Sequence, residues 1–521
     1  MALAVAAPAS AFLLERSGLA APGMASPRPA GGARTAQGVG ASDIRRDDGP
    51  ETQFIITRTE NGTECRTMTR AEAEYWRGER GRTDLRILGD SGLNRVAGSE
   101  QSGFKLVLRA TSQLEDNAPV KEAFLRAAAY WESIITTPIT VVLDVDFGTT
   151  RFGVPYPNAN VIGSTSTQTL GSSTLYSVMR SQLIDLAATP QQERIFSLLP
   201  VGSLPTEIGS TTSVFVSSPI LRALGFIPPV ANPSIETNYG AVPSIGFNSS
   251  FPFDFDPTNG IDHNRIDFHS TAVHEIGHLL GFSSYVGQNE IFPGSFQATS
   301  WDFYRFRPGV TLDSFTTAPR LLVSGNDHSH FAGLGEFALS TSRLDGQGGD
   351  GRQAPHWKDD SVNGQVLGIM DPSASSGIRE DISALDLETL GHFGYRINQT
   401  TIVTERLVID DNTSNSFPVV PGSLVVNRLT PSRYPAKVRS VMVRIPFVPD
   451  QLPPMGASLR LVVFQGGSAG NPPPNPQFLF DRVVTVPSIV SSRFVEFTID
   501  GPTIQSGDLF IGLQTQSAAG A

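Results

Sequence analysis

From Gly103 onward the apolar positions of the chain follow two periods. FKLVLRAT (104–111) alternates apolar and polar residues, the period of a strand. PVKEAFLRAAAYWESII (119–135) puts Val120, Phe124, Ala127, Ala128 and Trp131 on one helical face. TPITVVLDVDFG (137–148) is strand-like again, and strand, helix, strand predicts an α/β sheet layer. Residues 150–240 carry short helical patterns near 176–186 and 191–199 among many Ser, Thr, Gly and Pro, which predicts an insertion that shapes a cleft. SIGFNSSFPFDF (244–255) reads as a strand feeding a loop, with the next helix starting near Ser270 or Thr271. After Asn398 six strand-like runs, from SLVVNRL to DLFIGLQT, follow one another with no helical period, the pattern of a β-sandwich.

The pattern is weaker ahead of residue 101. MALAVAAPASAF is a short apolar run ending in Ala9-Ser10-Ala11, which resembles a signal segment with its cleavage site and predicts export. The stretch up to residue 50 reads as leader and linker. Residues 51–100 hold a strand pattern (Gln53 to Arg58) and a charged helical stretch (Thr69 to Arg80), as in a small pro-segment. The expected organisation is therefore 1–50 leader and linker, 51–100 pro-segment, 101–398 principal domain and 399–521 β-sandwich.

Composition narrows the functional class. Hydrophobic residues make up 39% and charged residues 17%, so a full core can be buried under a surface rich in uncharged polar groups. The net charge of −11, without clusters of Lys and Arg, excludes an electrostatic footprint for nucleic acid. No stretch reaches the roughly 18 apolar residues of a membrane span. Cys65 is the single cysteine, which excludes an intramolecular disulfide framework.

The chemistry lies in STAVHEIGHLLGFSS (270–284). On a helix, His274 and His278 stand one turn apart on the same face and can bind one metal ion. Glu275 lies about 100° round the helix, placed to reach a water on the metal rather than the metal itself. Zinc is the usual ion for such imidazole ligands, and three protein ligands leave one position open. In HExxHxxGxxH the third histidine would fall at position 284, which is Ser284 here. The third ligand therefore comes from elsewhere: His356, His328, His330, His392, Asp302, or the upstream pair His263 and His269. His356 opens His356-Trp357-Lys358-Asp359 and lies 14 residues (370 − 356) before Met370 in LGIMDPSA, an apolar approach to a tight turn.

HEIGHLLG (274–281), APHWKD (354–359), GIMDP (368–372) and ISALDLETLGHFGY (382–395) together resemble the leishmanolysin-type branch of the metzincins, and bacterial secreted HExxH proteases related to it. The resemblance covers roughly residues 101–397. It implies an α+β metzincin-like catalytic domain (a mixed sheet plus the active-site helix) ahead of the all-β sandwich. It also implies His356 as third zinc ligand, Met370 as the turn beneath the metal, and a secreted zinc endopeptidase that takes protein or peptide substrates. Catalysis would run through a zinc-bound water with Glu275 as general base. The rival reading in another class is a catalytically inactive surface-binding or adhesion protein that keeps a zinc fold.

Two weaker features complete the reading. DFDPTNGID (254–262) offers oxygen ligands at alternating positions, either a turn-rich loop or a site for a structural Ca2+. Cys65, in NGTECRTMTR, is either a lone, partly buried cysteine or a thiolate that silences the precursor by taking the open zinc position. Leishmanolysin-like enzymes carry a pro-segment cysteine of this kind, and Arg66 and Arg70 would favour the thiolate form.

Overall fold

A computed structural model describes residues 44–47, 53–60, 62–76, 84–88 and 103–398, apart from 168, 231–241, 257–260, 263, 333–334 and 364–365, together with short strands near the N terminus and after residue 403. Chain contacts divide it into two compact units, Pro27–Asn398 and Met1–Ser26 with Gln399–Ala521. The protein is mixed α+β, with one large mixed sheet and several further sheets. Among the described residues no helix is long and apolar enough to cross a membrane.

The larger unit is built on an eight-stranded sheet. Its strands are β1 (Gln53–Arg58), β2 (Gly62–Thr67), β3 (Arg86–Ile87), β4 (Lys105–Ala110), β5 (Thr140–Gly148), β6 (Val161–Ser166), β7 (Ser244–Asn248) and β8 (Ser373–Ser375). Their order across the sheet is β8-β2-β1-β6-β7-β5-β4-β3. The β4–β5 and β5–β7 pairs are parallel and the other neighbours antiparallel. β4 and β5 are parallel because α1 (Ala118–Ile134) makes the crossover between them. Its buried face is the predicted one, Val120, Phe124, Ala127, Ala128 and Trp131, with Ala123 and Ile134 added.

Residues 150–240 are not simply an insertion. They supply β6 to the middle of the main sheet, along with the helices α2 (Leu175–Leu186) and α3 (Pro190–Leu198) close to where the sequence places them. Nor does the hairpin β1–β2, in the segment read as a pro-segment, hang outside the sheet. Phe54, Ile55 and Ile56 are 0–1% exposed, a burial on the order of 1.5–3 kcal/mol for each side chain.

The helix α4 (Phe268–Leu280) carries the HExxH segment and starts two or three residues ahead of the Ser270 or Thr271 that the sequence predicts. Asp267 caps it, accepting from the His269 and Ser270 amides, while Arg379 donates to both Asp267 oxygens (2.8 and 2.9 Å). Gly281, at φ +125°, ends it, a conformation that an L side chain resists. Trp131 of α1 donates from its indole nitrogen to the Val273 carbonyl (3.2 Å) and so pins α4 to the layer below. The last helix of this unit is α5 (Ala384–His392), opened by a capping box of Ser383 and Asp386.

The smaller unit contains two larger antiparallel sheets and a short two-stranded pair, Ala4–Ala6 with Ser416–Pro418. One larger sheet runs Thr404–Ile409, Ser10–Arg16, Ala436–Ile445, Arg493–Thr498; the other Leu424–Leu429, Leu509–Thr515, Ser458–Gln465, Phe478–Thr485. Val438, Val441 and Val443 from the first share one core with Leu461, Val463, Leu509 and Ile511 from the second. The six strands read from the sequence after Asn398 are all present, and Ser10–Arg16, within the segment read as a leader, pairs among them.

Candidate metal centre

His274, His278, His356 and Cys65 converge, their ligand atoms all within 4.8 Å of one another, and all four are buried. Helix geometry delivers the first two. His356 arrives from the loop ahead of Trp357, its ring centroid 5.5 Å from that of His274 and 5.0 Å from that of His278.

Each imidazole is oriented by a main-chain carbonyl. The Nδ1–H of His274 donates to Ile369 (2.7 Å), that of His278 to Phe282 (2.7 Å) and that of His356 to Gln353 (3.2 Å). A carbonyl only accepts, so the proton sits on Nδ1 and each Nε2 presents a lone pair. Nε2 of His274 and of His356 are buried without a hydrogen-bond partner, and Nε2 of His278 faces the Cys65 sulfur at 3.6 Å. Burial holds His274 at about 4, and holds His278 and His356 well below the usual imidazole range, so all three rings are neutral at pH 7. Three neutral imidazoles and a thiol, held with lone pairs inward in a buried cluster, could hold a metal ion.

Glu275 is fully buried beside them. Burial raises its carboxyl to about 7, partly offset by the Thr165 hydroxyl of β6 and the Cys65 thiol. Burial, and then the Glu275 charge, push the Cys65 thiol well above its ordinary value. The expectation that Arg66 and Arg70 would favour the thiolate meets a different geometry. Arg66 is engaged with Glu72 (2.7 Å) and Arg70 with Glu74 (3.0 Å), and Arg66 is the smallest influence on the thiol. Without a metal, Cys65 is a thiol; a bound cation is what would stabilise its thiolate.

Met370 lies under α4 against Gly277. The residue that holds this floor was not read from the sequence as functional. Asp386 of α5 accepts from the indole of Trp357 (2.8 Å) and from the Ile369 amide (2.9 Å), so one buried carboxylate fixes the neighbours of both His356 and Met370. Its sequence signals are the Ser383-x-x-Asp386 capping pattern and its place in ISALDLETLGHFGY.

The other candidate ligands are engaged elsewhere. Asp302 accepts from the Ser284 hydroxyl (2.6 Å) and the Tyr285 amide (3.1 Å), so the serine in the third-histidine slot organises a loop. His328 meets Arg305 (3.2 Å), His330 meets Thr389 (3.3 Å), and His392 stacks on Tyr304. His269 lies beside Tyr130, and His263 lies outside the described residues. In the loop read as a Ca2+ candidate, Asp254 accepts from the Asp256 and Asp262 amides (3.0 and 2.9 Å), while 257–260 lie outside the described residues. A group of Asp359, Asp360 and Asp371 also gathers, but Arg352 neutralises Asp359 (2.5 Å), and Asp371 accepts from the Asp360 and Ser373 amides.

No family model, no curated protein and no solved structure matches this chain.

Proposed function

We propose that this protein is a secreted zinc endopeptidase of the metzincin type, with a catalytic domain over residues 101–398 and an all-β accessory sandwich after it. The observation that carries the reading is the convergence of three neutral imidazoles, each with Nδ1 on a carbonyl and Nε2 turned inward, beside the buried Glu275. Export rests on the signal-like run MALAVAAPASAF alone.

A zinc ion held by His274, His278 and His356 would supply Lewis acidity, lowering the pKa of water bound to it and polarising a scissile carbonyl. Glu275, not itself a ligand, takes the proton of the attacking water and passes it to the leaving amine. The carboxyl of Glu275, on the helix that carries two of the imidazoles, is the group placed to accept and return that proton. Asp386 and the three carbonyls keep the rings and the floor in place, so that little reorganisation accompanies the reaction.

One observation favours the second reading. Cys65 completes a closed set of four ligands, which is the habit of structural zinc, and a permanently closed site belongs to a surface-binding protein rather than an enzyme. Casein digestion separates the two readings. The zinc-loaded chain, cut between residues 47 and 53 and again between 88 and 103 and freed of the hairpin segment between the cuts, should cleave casein. A chelator should abolish this activity, added zinc should restore it, and Glu275→Ala should lack it while keeping its zinc. Folded, zinc-bound and cut protein that leaves casein intact would establish the second reading instead.

A further inference from the structure

Two of the three carbonyls that orient the imidazoles lie at the two ends of one buried ion pair. His278 donates to Phe282, in the chain leaving α4, and His356 donates to Gln353. Asp302 holds the first end. Its carboxylate accepts from the Ser284 hydroxyl (2.6 Å) and from the Tyr285 (3.1 Å) and Thr299 (2.9 Å) amides, while the Thr299 hydroxyl donates to the Ser283 carbonyl (2.7 Å). The three residues after Phe282 are thus bound to this carboxylate, directly or through Thr299.

Arg305 holds the second end. Its Nε stands 3.5 Å from the Asp302 carboxylate, and both side chains are fully buried. From there the guanidinium donates to the Ala354 carbonyl (2.5 Å), next to Gln353, to the Ser340 carbonyl (3.1 Å) and to Nδ1 of His328 (3.2 Å). Ser340 in turn brackets the third histidine: its amide donates to the His356 carbonyl (3.2 Å) and its hydroxyl to the Trp357 carbonyl (2.7 Å). One turn of 3-10 helix, Asp302–Tyr304, fixes the spacing of the pair. Burying two charges costs solvation that apolar residues of the same volume would not lose. What the pair supplies is geometry, because a rigid guanidinium fork holds several acceptors at set positions.

We propose, resting on the three-histidine metal site above and not on proteolysis, that Asp302 and Arg305 are positioning residues that set His356 against His278. In HExxHxxGxxH the third histidine follows the helix directly, so the helix exit itself fixes its place. Here Ser284 fills that slot and binds Asp302, and Arg305 carries the same constraint to a segment far along the chain. Neither residue is a ligand. Removing the fork leaves all four ligand side chains in place but frees the His356 segment to shift against α4.

The test uses the full-length chain and two metal readouts: zinc affinity by competition against a chromophoric chelator, and the visible bands of the Co2+-loaded protein, which report ligand geometry. Arg305→Lys keeps a charge beside Asp302 but loses the fork. It should weaken zinc binding by about 10–100-fold and move the cobalt bands toward those of His356→Ala. Arg320→Lys is the control, since Arg320 is equally buried and donates to three carbonyls, Phe303, Phe315 and Ala318, none of them in the His356 segment. It should lower Tm to a similar extent, yet keep zinc affinity within about threefold of the parent, as sites without shared partners act independently. In the His356→Ala background Arg305→Lys should cost less than about twofold more, because residues that act through one another are not additive. Should Arg305→Lys not fold, Ser340→Ala, which frees the Trp357 carbonyl and leaves the ion pair intact, should move the cobalt bands in the same direction, and parental bands would overturn the proposal. Equal zinc losses in Arg305→Lys and Arg320→Lys would overturn it too, as would a full further loss on top of His356→Ala. A parent chain that binds neither ion overturns the metal-centre reading and this proposal with it. Variants that follow the expected pattern, in a chain that leaves casein intact when cut and zinc-loaded, support the positioning role and overturn the protease reading alone.

Discussion

The sulfur of Met370 stands 2.5 Å from the point that a Cβ on Gly277 would occupy. The middle of the HExxH helix is thus open on the one side where the turn after His356 closes beneath it. Gly277→Ala gains roughly 1 kcal/mol of helix propensity, but it forces Met370 aside in a fully packed site, an overpacking cost of about 1–3 kcal/mol. The second effect should win, lowering Tm by a few degrees and weakening zinc binding, with Met370→Ala in the same chain recovering part of both. A Gly277→Ala protein with parental Tm and zinc affinity would show that the floor is not shaped by this contact.

The ligand set predicts a ranking. His356→Ala should weaken zinc binding as severely as His274→Ala, by about 100-fold or more, beyond the 10–100-fold typical of outer-shell changes. Cys65→Ser keeps three imidazoles and should lose less. Competition against a chromophoric chelator gives the order directly, and His356→Ala with parental affinity would remove it from the site. Stripping zinc from the full chain should lower Tm, since an ion bound only by the folded state stabilises that state.

Asp386→Ala removes a carboxylate that touches no ligand, yet leaves the Trp357 indole and the Ile369 amide buried without their acceptor. Each such loss costs about 1–3 kcal/mol. The expected result is a marked fall in Tm with a smaller loss of zinc affinity, of about tenfold. Asp386→Asn, which still accepts, should recover part of both. An Asp386→Ala protein that melts with the parent would contradict the role assigned to α5.

Asp267 sets a pH dependence. Burial alone would raise its carboxyl, but the hydrogen bonds and charge of Arg379, with Ser270, outweigh burial and hold it below the usual carboxylate range. A folded value below the unfolded one, about 3.9, means that the stabilisation is present above pH about 4 and fades as pH falls through the lower, folded value. Asp267→Asn should cost about 1.5–3 kcal/mol at pH 7, with a gap from the parent that narrows toward pH 3. Urea unfolding of both proteins at pH 3, 5 and 7 tests this; a gap of constant size would show that the Arg379 pair contributes no linkage.

The amino-acid sequence by itself determined the local parts: the face of α1, the strands after Asn398, the Gly281 stop, and the pairing of His274 with His278. These follow from helix and strand periods acting over a few residues, so neighbours in sequence suffice. It brought His356 forward through the resemblance of APHWKD and GIMDP, although 78 residues (356 − 278) separate it from His278. Only the tertiary structure decided what distant segments do to one another. α4 begins at Phe268 because Arg379, 112 residues away, holds its cap. β6, VIGSTS, escaped the sequence reading because it is buried on both faces and carries Ser, Thr and Gly, so it shows no alternation of apolar and polar positions. Cys65 reaches His278 across 213 residues, and Asp386 reaches Trp357 across 29. Such contacts carry no local period, because they form only when the sheet and its hairpin close, where burial of whole strands outweighs the entropy of bringing remote segments together.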